Sequence, residues 1–172
     1  MDNKLRQFNT QAEYLAVKDS LVNGTVSYID GSEKLITDSY NMFIATYNIT
    51  TTTSATRILG NSFDIAQIAV MLIDGKKIDS PVKTYTFQSS GYHTVTCILK
   101  GSATSLANLF NACTTLTTLD ITMPNASTYA VTNMFSGLTA SGIMYYDPQY
   151  NSSNVINALP SNWLAVGGGI AS

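Results

Sequence analysis

The chain has 172 residues, of which 45% are hydrophobic and only 12% are charged, and its formal net charge is −2. Since soluble proteins average roughly a quarter charged residues, the composition indicates a β-rich protein with a neutral surface that favours association with other copies or with a large particle. The Lys and Arg residues form no stripe suited to nucleic acid, and no apolar run approaches the roughly 20 residues of a membrane span.

Residues 1–41 are predicted to form a first unit of one helix and one hairpin. The sequence from Thr10 to Glu13 is typical of a capping box and predicts a helix of about three turns that ends before Gly24. Asp30-Gly31 lies between two β-prone runs and predicts a tight hairpin. Because so short a unit cannot bury a core of its own, we interpret it as an anchoring or oligomerisation segment. Its candidate partner-docking residues are Phe8, Tyr14, Leu15 and Tyr28.

Residues 42–100 carry the pattern of several short strands. One strand is indicated by alternating apolar residues at Phe43, Ala45, Tyr47 and Ile49. A nearly continuous apolar strand is predicted from Ile65 to Ile73, followed by a second hairpin turn at Asp74-Gly75. Two further strands are predicted at 84–87 and 93–99. Five or six short strands with regular turns favour an immunoglobulin-like (Ig-like) β-sandwich.

Residues 101–172 contain a segment that occurs twice. Leu106–Phe110 is echoed further along the chain by Val131–Phe135. Apolar positions follow each copy: Leu116, Leu119 and Ile121 in the first, Ile143, Tyr145 and Tyr146 in the second. The offset between the copies, a period of about 25, fits leucine-rich repeats, in which each unit supplies one strand and a compact return. Two units are fewer than a free solenoid needs, so we expect them to lean on the preceding domain or on another subunit.

The titratable residues do not predict an enzyme, a cofactor or a metal site. The two cysteines, Cys97 and Cys113, and the single histidine, His93, are too few for a structural zinc site, and we interpret the thiols as buried and reduced. His93 and Cys97 share a strand face and are interpreted as a packed pair. Asp74 and Asp79 are interpreted as turn residues.

Four aromatic residues near the end of the chain leave two interpretations open. They are candidate surface-binding residues that could stack on a sugar, or they cap the open end of the repeats. The cap is the favoured interpretation. The four residues are Tyr145, Tyr146, Tyr150 and Trp163.

The repeat residues also resemble a known family. Asn108–Cys113 followed by Leu116–Asp120 resembles the BspA-type leucine-rich repeat, which alternates an Asn-x-Phe-x-x-Cys turn with a Leu-Thr-x-Leu-Asp strand. Val131–Gly137 is similar to the same turn, with Leu138 in place of Cys. Residues 73–95 resemble the small β-domain that precedes such arrays in proteins of gut bacteria and their phages. Phe8–Tyr14 is similar to the anchoring segment of virion proteins in tailed phages, including the crAss-like group.

This resemblance implies a non-enzymatic virion protein, a head fibre or capsid decoration subunit made in the host cytoplasm. Its expected partners are capsid or other virion proteins and further copies in a dimer or trimer, with a host-surface protein or glycan as a further candidate. The alternative is a BspA-like adhesin, secreted or on the bacterial surface. The adhesin predicts an export signal, and residues 1–7 lack the apolar segment of one. A small enzyme fits least well.

Overall fold

A computed structural model describes residues 6–8, 27–29, 34–36, 41–123, 126–148 and 150–167, the first three ranges as backbone only. The fold is mainly β, as predicted. Three short strands near the N-terminus, β1 (Arg6–Phe8), β2 (Ser27–Ile29) and β3 (Lys34–Ile36), form one small sheet. Strand β2 is parallel to β1 and antiparallel to β3. The helix predicted after Thr10 lies outside the described residues.

The main sheet has seven strands and is mixed. Its strands are β4 (Met42–Ile49), β6 (Ile68–Ile73), β7 (Lys76–Lys77), β9 (Gly91–Leu99), β10 (Leu116–Thr122), β11 (Gly142–Tyr146) and β12 (Trp163–Gly167). Their spatial order is β12-β11-β10-β4-β9-β6-β7. A separate pair is formed by β5 (Thr56–Arg57) and β8 (Thr84–Tyr85). A short α-helix spans Ser153–Asn157, and 3-10 turns span Ile65–Gln67 and Ala126–Thr128.

The alternation predicted for β4 is confirmed. Phe43, Ala45, Tyr47 and Ile49 are all buried, since successive side chains of a strand point to opposite faces. The hairpin at Asp74-Gly75 is confirmed as well. Both turn residues have positive φ, 50° and 77°, and Ile73 pairs with Lys76. This is the backbone that a two-residue hairpin turn requires, and Asp and Gly tolerate it.

Two strand predictions need correction. The apolar run begins as a 3-10 turn at Ile65–Gln67 because the Asp64 carboxylate accepts a hydrogen bond from the Ala66 amide, so β6 starts only at Ile68. The strand predicted at 84–87 is limited to β8, which pairs with β5 instead of joining the main sheet. Phe87 is buried in the core without belonging to a strand.

The main sheet continues across residue 101, where the sequence patterns change. Strand β4 pairs antiparallel with β9 on one side and with β10 on the other. An aromatic ladder, defined here as Phe43, Phe110, Phe135 and Trp163, runs through the core from β4 to β12. Its successive ring centroids are 5.3, 5.9 and 6.3 Å apart. Residues 42–100 and 101–167 therefore share one sheet and one hydrophobic core.

Replacing Gly142 by Ala is expected to lower the free energy of unfolding by about 1–3 kcal/mol, the usual cost of overpacking a core. A Cβ at this position would lie 2.5 Å from the Trp163 ring and 2.6 Å from the Thr117 carbonyl oxygen. Gly101→Ala is the control, because no atom beyond the glycine and its two chain neighbours lies within 4 Å of its Cβ position. The effect of this change on the free energy of unfolding should stay below about 0.5 kcal/mol. Guanidinium unfolding measures both. Equal stability of the two variants would contradict the packing described here.

Candidate functional site

The two sequence repeats form a stack of parallel strands. In the pairing of β10 with β11, Thr118 lies opposite Ile143 and Leu119 opposite Met144, so the offset between paired strands equals the period of the sequence repeat. Strand β12 adds a third parallel strand, with Leu164 opposite Ile143. Strand β12 was not predicted from the sequence, because its residues lie outside both copies of the repeated segment.

The turns of the two repeats also match each other. Asn108 and Asn133 occupy equivalent positions with φ of 61° and 55°, and Ala112 and Gly137 follow with φ of 56° and 77°. Asn is among the few residues that adopt this left-handed conformation readily, which explains its place in the repeated segment. The amides of Asn108, Phe110 and Ala112 donate to the carbonyls of Thr132, Met134 and Ser136. The repeats are thus joined by a second ladder of hydrogen bonds outside the sheet.

The stack has a buried face and an open face. Leu119 and Met144 are fully buried, whereas the neighbouring positions Ile143 and Leu164 are 37% and 61% exposed and lie side by side in register. Tyr145 and Val166 form the next pair on the same open face. We call Ile143, Tyr145, Leu164 and Val166 the open patch. The apolar position predicted at Ile143 is thus exposed, and Met144 is the buried counterpart of Leu119.

The four aromatic candidates do not form one platform. Tyr145 and Tyr146 are neighbours on a strand and therefore point to opposite faces. Trp163 is buried, its ring stacks on Phe135, and its Nε1 donates to the Ala140 carbonyl at 3.0 Å. Tyr146 packs against the core, and Tyr150 is half-buried in the segment after β11. Only Tyr145 belongs to the open patch, and the positions of Trp163 and Tyr146 favour the cap interpretation over the sugar platform.

The candidate docking residues of the first unit stay predictions. Phe8 lies on β1 and Tyr28 on β2, where the structure describes only the backbone. Tyr14 and Leu15 lie outside the described residues.

His93 forms the centre of a small polar cluster that the sequence analysis missed. Its Nδ1 lies 2.7 Å from the Asp74 carboxylate, and its Nε2 lies 2.9 Å from the Ser89 carbonyl oxygen and 3.4 Å from the Ser89 hydroxyl. Asp74 Oδ1 also accepts from the Thr94 amide at 2.9 Å. Residues 74 and 93 meet only because β6 and β9 are paired, so no local motif signals the contact.

The order Asp74, His93, Ser89 resembles a hydrolase triad, but the geometry does not support that chemistry. A general base must offer a free lone pair at Nε2 to the serine hydroxyl. A carbonyl oxygen can only accept a hydrogen bond, so the Nε2 that faces the Ser89 carbonyl carries a hydrogen in that contact. The cluster instead ties the β6–β7 turn to β9.

Both cysteines are free and buried, as the sequence analysis predicted. Burial raises the pKa of the Cys113 thiol from 9.0 to about 12, with a smaller opposing effect of Arg57, and burial also raises the pKa of Cys97 well above 9.0. The reactive form of cysteine is the thiolate. A buried thiol that keeps its proton is a packing group.

A polar groove of about 410 Å³ lies beside the 3-10 turn at Ile65–Gln67, with Asp64 and Lys100 among its lining residues. Gln67 fixes one wall, because its Oε1 accepts from the amides of Thr104 and Ser105 at 3.0 and 2.9 Å. The groove is open, and the side-chain oxygen of Gln67 already accepts hydrogen bonds from two backbone amides.

Among the described residues, no group of three or more His, Cys, Asp or Glu side chains is arranged to hold a metal ion. Within the same ranges, no helix is long and apolar enough to cross a membrane.

A scan against protein-family models, a search of curated proteins and a search of solved structures each found no match to this chain.

Replacing Asp74 by Asn should lower the free energy of unfolding by about 0.5–1.5 kcal/mol, between the values for exposed ion pairs and for hydrogen bonds to charged groups. Asn tolerates the positive φ of this position, so the change isolates the carboxylate. Asp79→Asn is the matched control, since Asp79 is an exposed carboxylate in the same region. Thermal and chemical unfolding measure the difference. If Asp74→Asn is as stable to unfolding as this control, the cluster does not stabilise the fold.

The native thiols should resist the thiol reagent DTNB at pH 8 and react fully once the chain is unfolded in guanidinium. Both are buried and protonated at that pH, whereas an exposed thiol reacts through its thiolate. Ser90→Cys adds an exposed thiol to the same protein, which should react at once with one equivalent of DTNB and release one equivalent of thionitrobenzoate. Rapid reaction of more than that one equivalent in the folded variant would contradict the burial of Cys97 or Cys113.

Proposed function

We propose that this chain is a non-enzymatic structural protein of a bacteriophage virion, a head fibre or capsid decoration subunit that displays an interaction surface. The open patch is the observation that carries the display role. Leu164 and Ile143 are large apolar side chains exposed beside each other on adjacent strands. Contiguous exposed apolar surface marks interaction sites more often than isolated apolar residues do. The virion assignment is supported by the resemblance of the sequence to BspA-type repeats and phage anchoring segments.

The finer fold belongs to the same proposal, namely a BspA-type leucine-rich repeat fragment that follows an Ig-like β-domain. The three specified residues of the Asn-x-Phe-x-x-Cys turn have structural roles that suit a repeat. Asn108 adopts the left-handed turn conformation, Phe110 belongs to the aromatic ladder and Cys113 is fully buried. The register of β10 and β11, which matches the sequence period, supports stacked repeats. The antiparallel order β4-β9-β6-β7 supports a β-domain at 42–100.

In this proposal residues 1–41 attach the chain to the capsid, and the open patch faces away from it. A protein is the favoured partner of the open patch. Three of its four side chains are aliphatic, Ile143, Leu164 and Val166, and aliphatic groups bind by burying area rather than by hydrogen bonds. A dimer or trimer of the subunit would bring several such patches together.

The second candidate function is a BspA-like adhesin. Tyr145 favours it, because this aromatic ring lies on the open face beside Ile143 and could stack on a host glycan. The two functions use the same surface and differ in the attachment of the N-terminal unit. Recovery of the protein in purified particles favours the virion subunit, whereas recovery only from cell surfaces or medium favours the adhesin.

Two variants separate attachment from display. A deletion of residues 1–41 should abolish recovery with purified particles, and circular dichroism of the purified variant checks that the remainder is folded. The double variant Ile143→Ser with Leu164→Ser should stay on particles but bind host cells at least about tenfold more weakly, which corresponds to the loss of about 1.4 kcal/mol. Tyr92→Ser is the control, because Tyr92 is 72% exposed and lies on β9, outside the open patch.

Immunoelectron microscopy with an antibody against residues 43–172 provides the readout on particles. Label over the head is the expected result for the full chain. A deletion variant still found on heads would refute the anchoring role, and absence of label from all particles would refute the virion assignment and leave the adhesin.

A further inference from the structure

The face of the main sheet opposite the core is buried at one end and open at the other. Leu72 on β6 is 1% exposed and Ile98 on β9 is 4% exposed. Neither belongs to the core cluster of the other face. On the same face of the sheet, Ile143 and Leu164 are exposed. Tyr92, near the start of β9 on this face, is 72% exposed. Something therefore covers this face around Leu72 and Ile98 and leaves it free near the start of β9 and over β11 and β12.

The strand register assigns these side chains to their face. Met71 pairs with Cys97 and Ile73 with Val95, and these four belong to the core cluster. Since side chains alternate along a strand, Leu72 and Ile98 point away from that core.

Three more apolar residues surround them on the same face. Ile98 lies between Val70 and Met42, and Ile44 lies opposite Thr96, the partner of Leu72. All three are half-buried. We call Met42, Ile44, Val70, Leu72 and Ile98 the covered patch.

The described loops do not account for this cover, since their large apolar residues pack on the other side. Ile58, Leu59, Phe63 and Phe87, which come from the connections between β5 and β9, all belong to the core cluster.

The distance that each remaining segment of the chain can span indicates which segment covers the patch. Residues 168–172 follow β12, which is four strand spacings or about 19 Å from β9. Five fully extended residues span at most about 17 Å, and they would have to cross the open patch. Residues 124–125 are too few. Residues 1–40 lead directly through Asn41 into Met42, which is itself part of the covered patch.

We propose that the N-terminal segment, residues 1–40, packs against the covered patch of its own chain. The segment contains apolar and aromatic residues that suit such a contact, among them Phe8, Tyr14, Leu15 and Tyr28. The sheet face then completes the core that so short a unit cannot build alone. This inference does not rest on the virion assignment, because it concerns contacts within one chain.

Photocrosslinking in the full chain tests this inference. Benzoylphenylalanine replaces Ile44, and equal amounts of unlabelled and ¹⁵N-labelled protein are mixed before irradiation and peptide mass spectrometry. The expected products join residue 44 to peptides from residues 1–40, with both peptides unlabelled or both labelled. The probe at Ile143 is the control, and its crosslinks to residues 1–40 should be at least tenfold fewer. The probe at Val70 repeats the test if the Ile44 variant fails to fold.

Two results would overturn the inference. Mixed labelled and unlabelled pairs would show that a second copy covers the patch. Crosslinks only to residues beyond 40, or none from either probe in the folded protein, would show that the N-terminal segment lies elsewhere.

Discussion

The antiparallel pairing of β4 with β10 is the interaction on which the rest of this structure depends. A stack of repeats has open ends, where strand edges and apolar side chains lack neighbours. Strand β4 closes one end: Ala45 lies opposite Leu119 and Phe43 opposite Ile121, and the Thr117 hydroxyl donates to the Thr46 carbonyl. The two repeats therefore pack against the preceding residues. Because there are only two repeats, we expected them to pack either against these residues or against another subunit.

The pairing of β4 with β10 also determines how the aromatic side chains of the core and the turns of the repeats are arranged. Phe43 begins the aromatic ladder that Phe110, Phe135 and Trp163 continue. The Gly60 amide donates to the Leu109 carbonyl, so the loop after β5 also covers the turn of the first repeat. The open patch lies on the paired strands β11 and β12, and a surface built on strands holds its geometry better than one built on loops.

Features that depend on neighbouring residues in the chain could be predicted from the sequence, whereas features that depend on contacts between distant segments could not. The alternation in β4, the Asp74-Gly75 hairpin and the period of the repeats were readable because each depends on the order of residues along the chain. The late start of β6 depends on one capping carboxylate at Asp64, and β12 lies outside both copies of the repeated segment. At the candidate site, burial of Trp163 agreed with the favoured interpretation. The exposure of Leu164 and the contact of Asp74 with His93 follow from strand pairing, which no single segment encodes.

Native-state hydrogen exchange in increasing guanidinium shows whether residues 42–167 fold as one unit joined through β4 and β10. Amides of β9 at 91–99 and of β11 at 142–146 are followed by mass spectrometry. We expect both sets to exchange through the same global opening, with one free energy and one denaturant dependence. Complete exchange of β11 through a separate opening, while β9 stays protected, would show that the repeats are an independent unit and would contradict this expectation.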